Sequence, residues 1–266
     1  YIMNCTPWNL WDLSTGKAVE NADTEEAVRV LETAFEKLAD KGSKRHPGLL
    51  HMYLHLMEMS PYPEKALTAG DVLIDLVPDA GHLQHMPTHI DVLCGDYHNV
   101  VSRNERAILA DNKYLKKSGA NNFYTLYRCH NFHFKIYGAM FLGQKQVALD
   151  TANDLAKALP AKIVEPLADW LEGFYPMKQH VLIRFGEWEQ IKRQPLPENP
   201  KLYAFTLALI HYAKTVAHAA TGDIPLAASA REDFLAAKTA MPRTRTIFNN
   251  LCADLLNIAE AMMDGE

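Results

Sequence analysis

The sequence predicts an all-α chain, built as a tetratricopeptide-like helical-pair solenoid with a concave groove. Three observations predict it. Apolar residues recur at three- and four-residue steps almost throughout, and alternating strand patterns are scarce. Gly, Pro and Asp stand at most of the joints, in "GDY", "LGQ", "LPAK", "FGEW", "TGDIP" and "MPRT". The helices also pair: "LCGDYHNVVSRNERAILAD", "FLGQKQVALDTANDLAKALP" and "AATGDIPLAASAREDFLAAKTAMP" each run from a helix end through a glycine into a second helix. Their turn glycines Gly95, Gly143 and Gly222 are 48 and 79 residues apart, with Gly186 in "RFGEW" marking a further joint between the last two. These units are longer and less regular than the tetratricopeptide period of about 34 residues. One repeat domain over residues 1–266 is expected.

The elements follow in order. "PWNLWD" (residues 7–12) is a tryptophan-bearing loop or helix end at the start of the array. "DTEEAVRVLETAFEKLADKG" places Ala27, Val30, Leu31, Ala34, Phe35 and Leu38 on one face, with acids leading and Gly42 following. Further helices are expected over about 46–59, 63–77, 80–94, 96–117, 122–142, 144–159, 166–186, 187–194, 200–221, 223–240 and 243–264, each ended by a Gly, Pro or polar joint. Pro87 either kinks the helix over 80–94 or marks where one helix begins. The chain opens at Tyr1 on what reads as mid-helix, so helices upstream of this sequence are expected.

Composition narrows the function classes. The 266 residues are 48% hydrophobic and 22% charged, as in ordinary folded chains, with a formal net charge of −5. A mildly acidic chain without a basic stripe is a poor match for nucleic acid. No apolar run reaches the length of a membrane span. Cys5, Cys94, Cys129 and Cys252 are scattered, which fits reduced thiols and a cytoplasmic setting. No signal peptide is visible, although the expected upstream segment leaves room for one.

Histidine is the outlier, with twelve in the chain. His51, His55 and Glu58 fall within about 60° of one another on a helix, and so do His82, His85 and His89. His130 and His133 form a third cluster in "YRCHNFHF". All three clusters sit on the first helix of a pair, and in a tetratricopeptide-like solenoid those helices line the concave groove. Neutral imidazoles one turn apart chelate a metal from a single helix face. The candidate metal ligands are therefore His51, His55, Glu58, His82, His85, His89 and His130, enough for one or two ions. Without a cysteine among them, a structural zinc site is a poor fit. His46, His98 and His180 take the ordinary role of an isolated histidine, and His211 with His218 reach a groove at most. Tyr127 shares the face of His130. His133 lies on its flank, and both are candidate substrate contacts; Tyr124, Phe132, Phe134 and Tyr137 read as packing between helices. Arg184 reads as the partner of an acidic neighbour.

The blocks "HPGLLHMYLHLMEMS", "PDAGHLQHMPTHIDVLCGDY", "NERAILAD" and "HNFHF…YGAMFLGQ" together resemble a family of tetratricopeptide-repeat-like proteins whose pattern runs HPG-x-x-H-x-x-x-H-x-x-E and then AGH-x-x-HMP-x-HI. His46 to Glu58 and Gly81 to Ile90 match it. The resemblance implies the fold, the ligands and further helices ahead of "PWNLWD"; it implies no particular reaction.

Several enzyme classes lack their motifs: G-x-S-x-G, the P-loop, G-x-G-x-x-G and HExxH are all absent. The expected function is a metal-dependent oxidoreductase, oxygen-activating, with one or two iron or copper ions acting on a small organic substrate in the groove. Zinc and manganese are the alternative ions. A zinc-type metallohydrolase and a non-catalytic peptide-binding scaffold are the alternative functions.

Overall fold

The computed structural model describes residues 7–42 and 45–265. The expected mid-helix opening and Cys5 lie outside the described residues. The chain divides into two compact units, Tyr1–Gly119 and Ala120–Glu266. Most described residues are helical, and the strands among them form two short hairpins. Among the described residues, no helix is long and apolar enough to cross a membrane.

In the first unit, β1 (Trp11–Asp12) pairs antiparallel with β2 (Lys17–Ala18). The Trp11 indole N–H donates to the Leu56 carbonyl (2.6 Å), and the Thr24 hydroxyl donates to the Leu10 carbonyl (2.8 Å). These bonds fasten the segment onto the helices that follow. Helix α1 (Thr24–Asp40) buries Leu31 and packs Ala27, Val28 and Phe35 on the core. Val30, expected on that face, is 57% exposed. The face is turned by the contacts α1 makes with Tyr53, which meets the Phe35 ring edge-on at 5.2 Å and donates its hydroxyl to Glu32 (3.1 Å).

Helix α2 (Pro47–Met57) begins at a cap built by sequence: the His46 Nδ1 accepts from the Leu49 N–H at 3.2 Å, and Pro47 fills the first turn. Its buried side carries Leu50, Tyr53, Leu54, Leu56 and Met57. The expected helix over 63–77 is shorter: a 3-10 turn at Pro63–Ala66 leads into α3 (Leu67–Leu73), since Pro63 supplies no N–H for an earlier helical turn. Then come α4 (Gly81–His85), α5 (Pro87–Leu93) and the long α6 (Tyr97–Ser118). At Pro87 the chain does a little of both expected things. A turn at Met86 separates α4 from α5, yet Met86 keeps helical dihedrals (φ −50°, ψ −39°), so the two pieces run on with little change of course.

In the second unit, α7 (Thr125–Phe141) and α8 (Lys145–Ala158) pack as a pair. The predicted continuous helix over 166–186 is broken into α9 (Ala161–Val164), a 3-10 turn, α10 (Ala168–Leu171), a second 3-10 turn at Glu172–Phe174, and α11 (Met177–Arg184). Pro166 and Pro176 interrupt the ladder, and Gly173 presses its bare Cα against Ile247, where no Cβ fits. The buried Glu172 carboxylate accepts from the Thr206 N–H (2.7 Å), the Thr206 hydroxyl (2.5 Å) and the Phe205 N–H (3.2 Å). It thereby caps the start of α13, which follows α12 (Trp188–Lys192).

Helices α13 (Ala204–Ala220) and α14 (Ile224–Ala240) form the next pair. The predicted helix over 243–264 starts later, as α15 (Cys252–Gly265). Before it, β3 (Thr246–Ile247) pairs with β4 (Asn250–Leu251) through a turn that puts Phe248 at φ 48°. The β-branched Thr246 and Ile247 and the turn-forming Asn249 explain that start. The glycines singled out at the joints, Gly95, Gly143, Gly186 and Gly222, all have φ between 67° and 79°, which a side chain would strain.

The start of α4 is the tightest glycine in the first unit. A Cβ on Gly81 would overlap Asp111 Oδ1 and stand 3.0 Å from the Ala107 carbonyl oxygen, and Asp111 is itself buried. Gly81→Ala is expected to destabilise the protein by about 1–3 kcal/mol through forced displacement of α4 from α6. Urea unfolding of the variant beside the parent checks this; an unchanged midpoint would mean that α4 yields freely.

Candidate metal centre

Helices α2, α4, α5 and α6 bring the two histidine stripes of the first unit together. On α2 the buried face leaves His51, His55 and Glu58 on its half-buried flank. Helix α4 is held from behind by Gln84, whose amide N–H groups donate to the carbonyls of Ile74 (2.6 Å) and Val77 (3.1 Å). Helix α5 is held by the fully buried Asp91, 3.2 Å from the Arg103 guanidinium of α6; Arg103 also pairs with Asp71 of α3. Burial pushes the Asp91 carboxyl up to about 7 against the opposing pull of Arg103. Gly70 lets α3 approach Pro87, which a Cβ would meet at 2.9 Å.

Three imidazole nitrogens converge. His51 Nε2 is 3.0 Å from His55 Nε2 and 3.1 Å from His82 Nε2, and the three groups each offer one ligand atom within 4.8 Å of the others. With metal–nitrogen bonds of about 2.0–2.1 Å, ligands at right angles stand about 2.9 Å apart and tetrahedral ones about 3.3–3.4 Å. The measured edges fall in that range. These histidines are held neutral. Burial, then the neighbouring His55, depresses His51 from 6.5 to about 4. Burial, then His51, His55 and His89, depresses His82 to about 3. Burial also lowers His55, although Glu58 opposes it. Neutral imidazole is the form that binds a metal.

Beside this trio stands a second arrangement. His85 Nδ1 is 2.7 Å from Asn104 Oδ1 on α6. The Asn104 amide cannot be turned round, because its Nδ2 donates to the Val100 carbonyl (2.8 Å) and to Thr88 Oγ1 (3.3 Å). His89 Nδ1 is 2.7 Å from Glu58 Oε1. Burial alone would raise the Glu58 carboxyl, but His89 outweighs it and the carboxyl lies below its usual value, so the group is a carboxylate. Both histidines therefore donate from Nδ1 and carry a lone pair on Nε2. Those two Nε2 atoms stand 2.9 Å apart. His85 is 1% exposed, and burial drives its pKa well below 6.5.

No protein-family model, no curated protein and no solved structure matches this chain. Its chemistry rests on its own side chains.

The first unit thus gathers six of the expected ligands, with a change of place for one. Glu58 sits at the end of α2 with its carboxylate on His89 Nδ1, so it orients a histidine instead of joining the trio. His130, expected with them, is on α7 in the second unit, where its ring meets Phe134 and Phe248, each at 4.6 Å between centroids. Tyr127 and His133 do not share a hollow. Tyr127 borders one of about 310 Å³ with Phe123, Leu126, Trp170, Phe248 and Asn249. His133 borders a larger apolar one of about 560 Å³ with His180, Arg184, Phe205 and Leu209, and burial with nearby His180 depresses it to about 4. Arg184 donates to the Met140 carbonyl (3.4 Å), so the expected acidic partner is replaced by a backbone oxygen. His211 is buried 3.7 Å from Asp233 of α14 and lines no groove.

Sequence reasoning missed Asn104, Thr88, Gln84 and the Asp91–Arg103 pair. A signal was present for some of them: Arg103, Asn104 and Asp111 share the buried side of α6 with Val100 and Ala107, and polar residues in such a stripe need partners.

The depressed histidines set a pH dependence. His51 and His82 bind protons more readily unfolded, near 6.5, than folded, near 4 and 3. Their contribution to stability is full above 6.5 and is lost as pH falls toward 4 and then 3. The metal-free protein is expected to show a urea midpoint that drops between pH 7 and pH 5, with a shallower drop in His82→Gln. A flat midpoint in the parent would contradict burial of neutral imidazoles.

Proposed function

We propose that this protein is a metal-dependent oxidoreductase whose first unit holds a redox-active transition ion, iron or copper, on His51, His55 and His82. The observation that carries the reading is the convergence of three neutral Nε2 atoms with edges of 3.0 and 3.1 Å. Imidazole donors suit copper and iron as well as zinc. Three protein ligands leave positions on the ion for a small substrate or dioxygen, and a redox ion supplies one-electron chemistry there. The chain's own part is to keep the imidazoles neutral, to aim them from two helices, and to keep a carboxylate close by.

The hydrolytic zinc reading is weaker for one reason. A zinc hydrolase needs a carboxylate base turned to the metal-bound water. The nearest carboxylate, Glu58, accepts from His89 Nδ1 at 2.7 Å and is engaged there. The peptide-scaffold reading lacks the basic groove side chains that would hold a peptide carboxylate, since the gathered residues are imidazoles. The helix–glycine–helix joints at Gly95, Gly143, Gly186 and Gly222 support the tetratricopeptide-like solenoid and the family resemblance carried by its motifs. A small organic molecule is the proposed substrate.

Elemental analysis of protein purified without a histidine tag tests this. The parent is expected to carry iron or copper at one or more ions per chain, and His51→Ala/His82→Ala to lose at least one. The loaded parent is expected to change its electronic or paramagnetic spectrum on exposure to oxygen. Protein without metal, whose stability ignores chelators, would overturn the proposal; stoichiometric zinc with no response to oxygen would return it to hydrolysis.

A further inference from the structure

We infer that the first unit binds a second metal ion, on the Nε2 atoms of His85 and His89. The inference deepens the metal reading above, since it places another ion beside the trio. Its basis is a constraint on hydrogens. Asn104 Oδ1 faces His85 Nδ1 at 2.7 Å, and the amide orientation is set by the Asn104 Nδ2 bond to the Val100 carbonyl. Glu58 Oε1 faces His89 Nδ1 at 2.7 Å. Each acceptor draws the ring proton to Nδ1 and leaves the lone pair on Nε2. The two lone pairs then meet at 2.9 Å.

Two acceptors that close repel unless an electron-pair acceptor serves both. A cation does so, and ligand-to-ligand spacing of about 2.9 Å is what right-angled imidazole ligands on one ion require. Nδ1 groups bonded to a carboxylate or an amide oxygen are also how proteins orient metal-binding histidines. The Glu58 carboxylate, one bond removed, supplies negative charge that offsets the cation in this buried place. The positions are contiguous: His82 and His55 both act electrostatically on His85. The ligand class is a divalent transition ion with imidazole donors, its other positions filled by water or substrate.

Chelator-stripped full-length protein dialysed against cobalt(II) chloride, with bound metal counted by elemental analysis, provides the test. Two ions per chain are expected in the parent and one in His89→Ala. Asn104 gives an arm that keeps both ligands. Asn104→Leu removes the acceptor on His85 Nδ1 and is expected to weaken the second ion tenfold to a hundredfold while sparing the first. Asn104→Asp restores an acceptor and is expected to recover binding. One cobalt in the parent, lost in His51→Ala/His82→Ala but kept in His89→Ala, would overturn the second ion and leave the trio standing; a proton shared by His85 and His89 would give that result. A single ion lost in both variants would mean one shared site and also overturn the inference. No ion in the parent would sink the trio with it.

Discussion

The bond from His89 Nδ1 to Glu58 is the constraint on which the first unit's site depends. It spans 31 residues of sequence and joins the end of α2 to the middle of α5. It assigns the ring proton, turns the imidazole and brings a negative charge inside. A hydrogen bond to a charged group contributes about 1.5–3 kcal/mol, more than a neutral one. Without it His89 is a half-buried ring free to choose its tautomer. With it, Nε2 is committed to whatever stands opposite, and His85, committed in the same way by Asn104, stands there.

That commitment needs rigid helices, and the first unit supplies them at visible expense. Asn104, Gln84, Thr88, Asp91 and Arg103 are all nearly or fully buried. Burying polar or charged groups is unfavourable unless they find partners. Each partner found here lies on a neighbouring helix or on the turn beside it: Asn104 to His85, Gln84 to Ile74, Arg103 to Asp91 and Asp71. A purely apolar packing of α4, α5 and α6 would be cheaper to bury, but it would not fix the rotation of α5 about its axis. A rotation of one residue, about 100°, would carry His89 away from Glu58. The ionic and amide contacts are therefore read as register devices for the histidines.

Much of this was legible in the sequence. The helical class, the joints at Gly95, Gly143, Gly186 and Gly222, and the stripes on α2 and α4–α5 follow from spacing. What escaped has a physical pattern. The break over 161–176 depends on Gly173 meeting Ile247, a contact 74 residues away in the chain that no local window contains. The exposure of Val30 depends on where Tyr53 stands. Glu58 reads as a ligand from its i+3 position behind His55, because spacing gives the face of a side chain and not the atom it reaches. Asn104 was visible as a polar residue among apolar ones, but its role depends on an imidazole nineteen residues earlier.

The same reasoning explains why six such groups are gathered at all. In the metal-free molecule three Nε2 atoms crowd within about 3 Å of His51 or one another, and a second pair does so beside them. Burial opposes protonation of His51, His82 and His85, so added protons are a costly way to relieve the crowding. Folding alone gains little from this packing; an apolar cluster of equal volume would stabilise more. The arrangement becomes favourable when a cation binds the folded state and not the unfolded chain, since such a ligand adds stability in proportion to the logarithm of its occupancy. The crowded, neutral, oriented imidazoles are then strained groups whose strain is relieved by an ion. That is why the site is better understood as a cradle for metal than as a polar patch in a helical core.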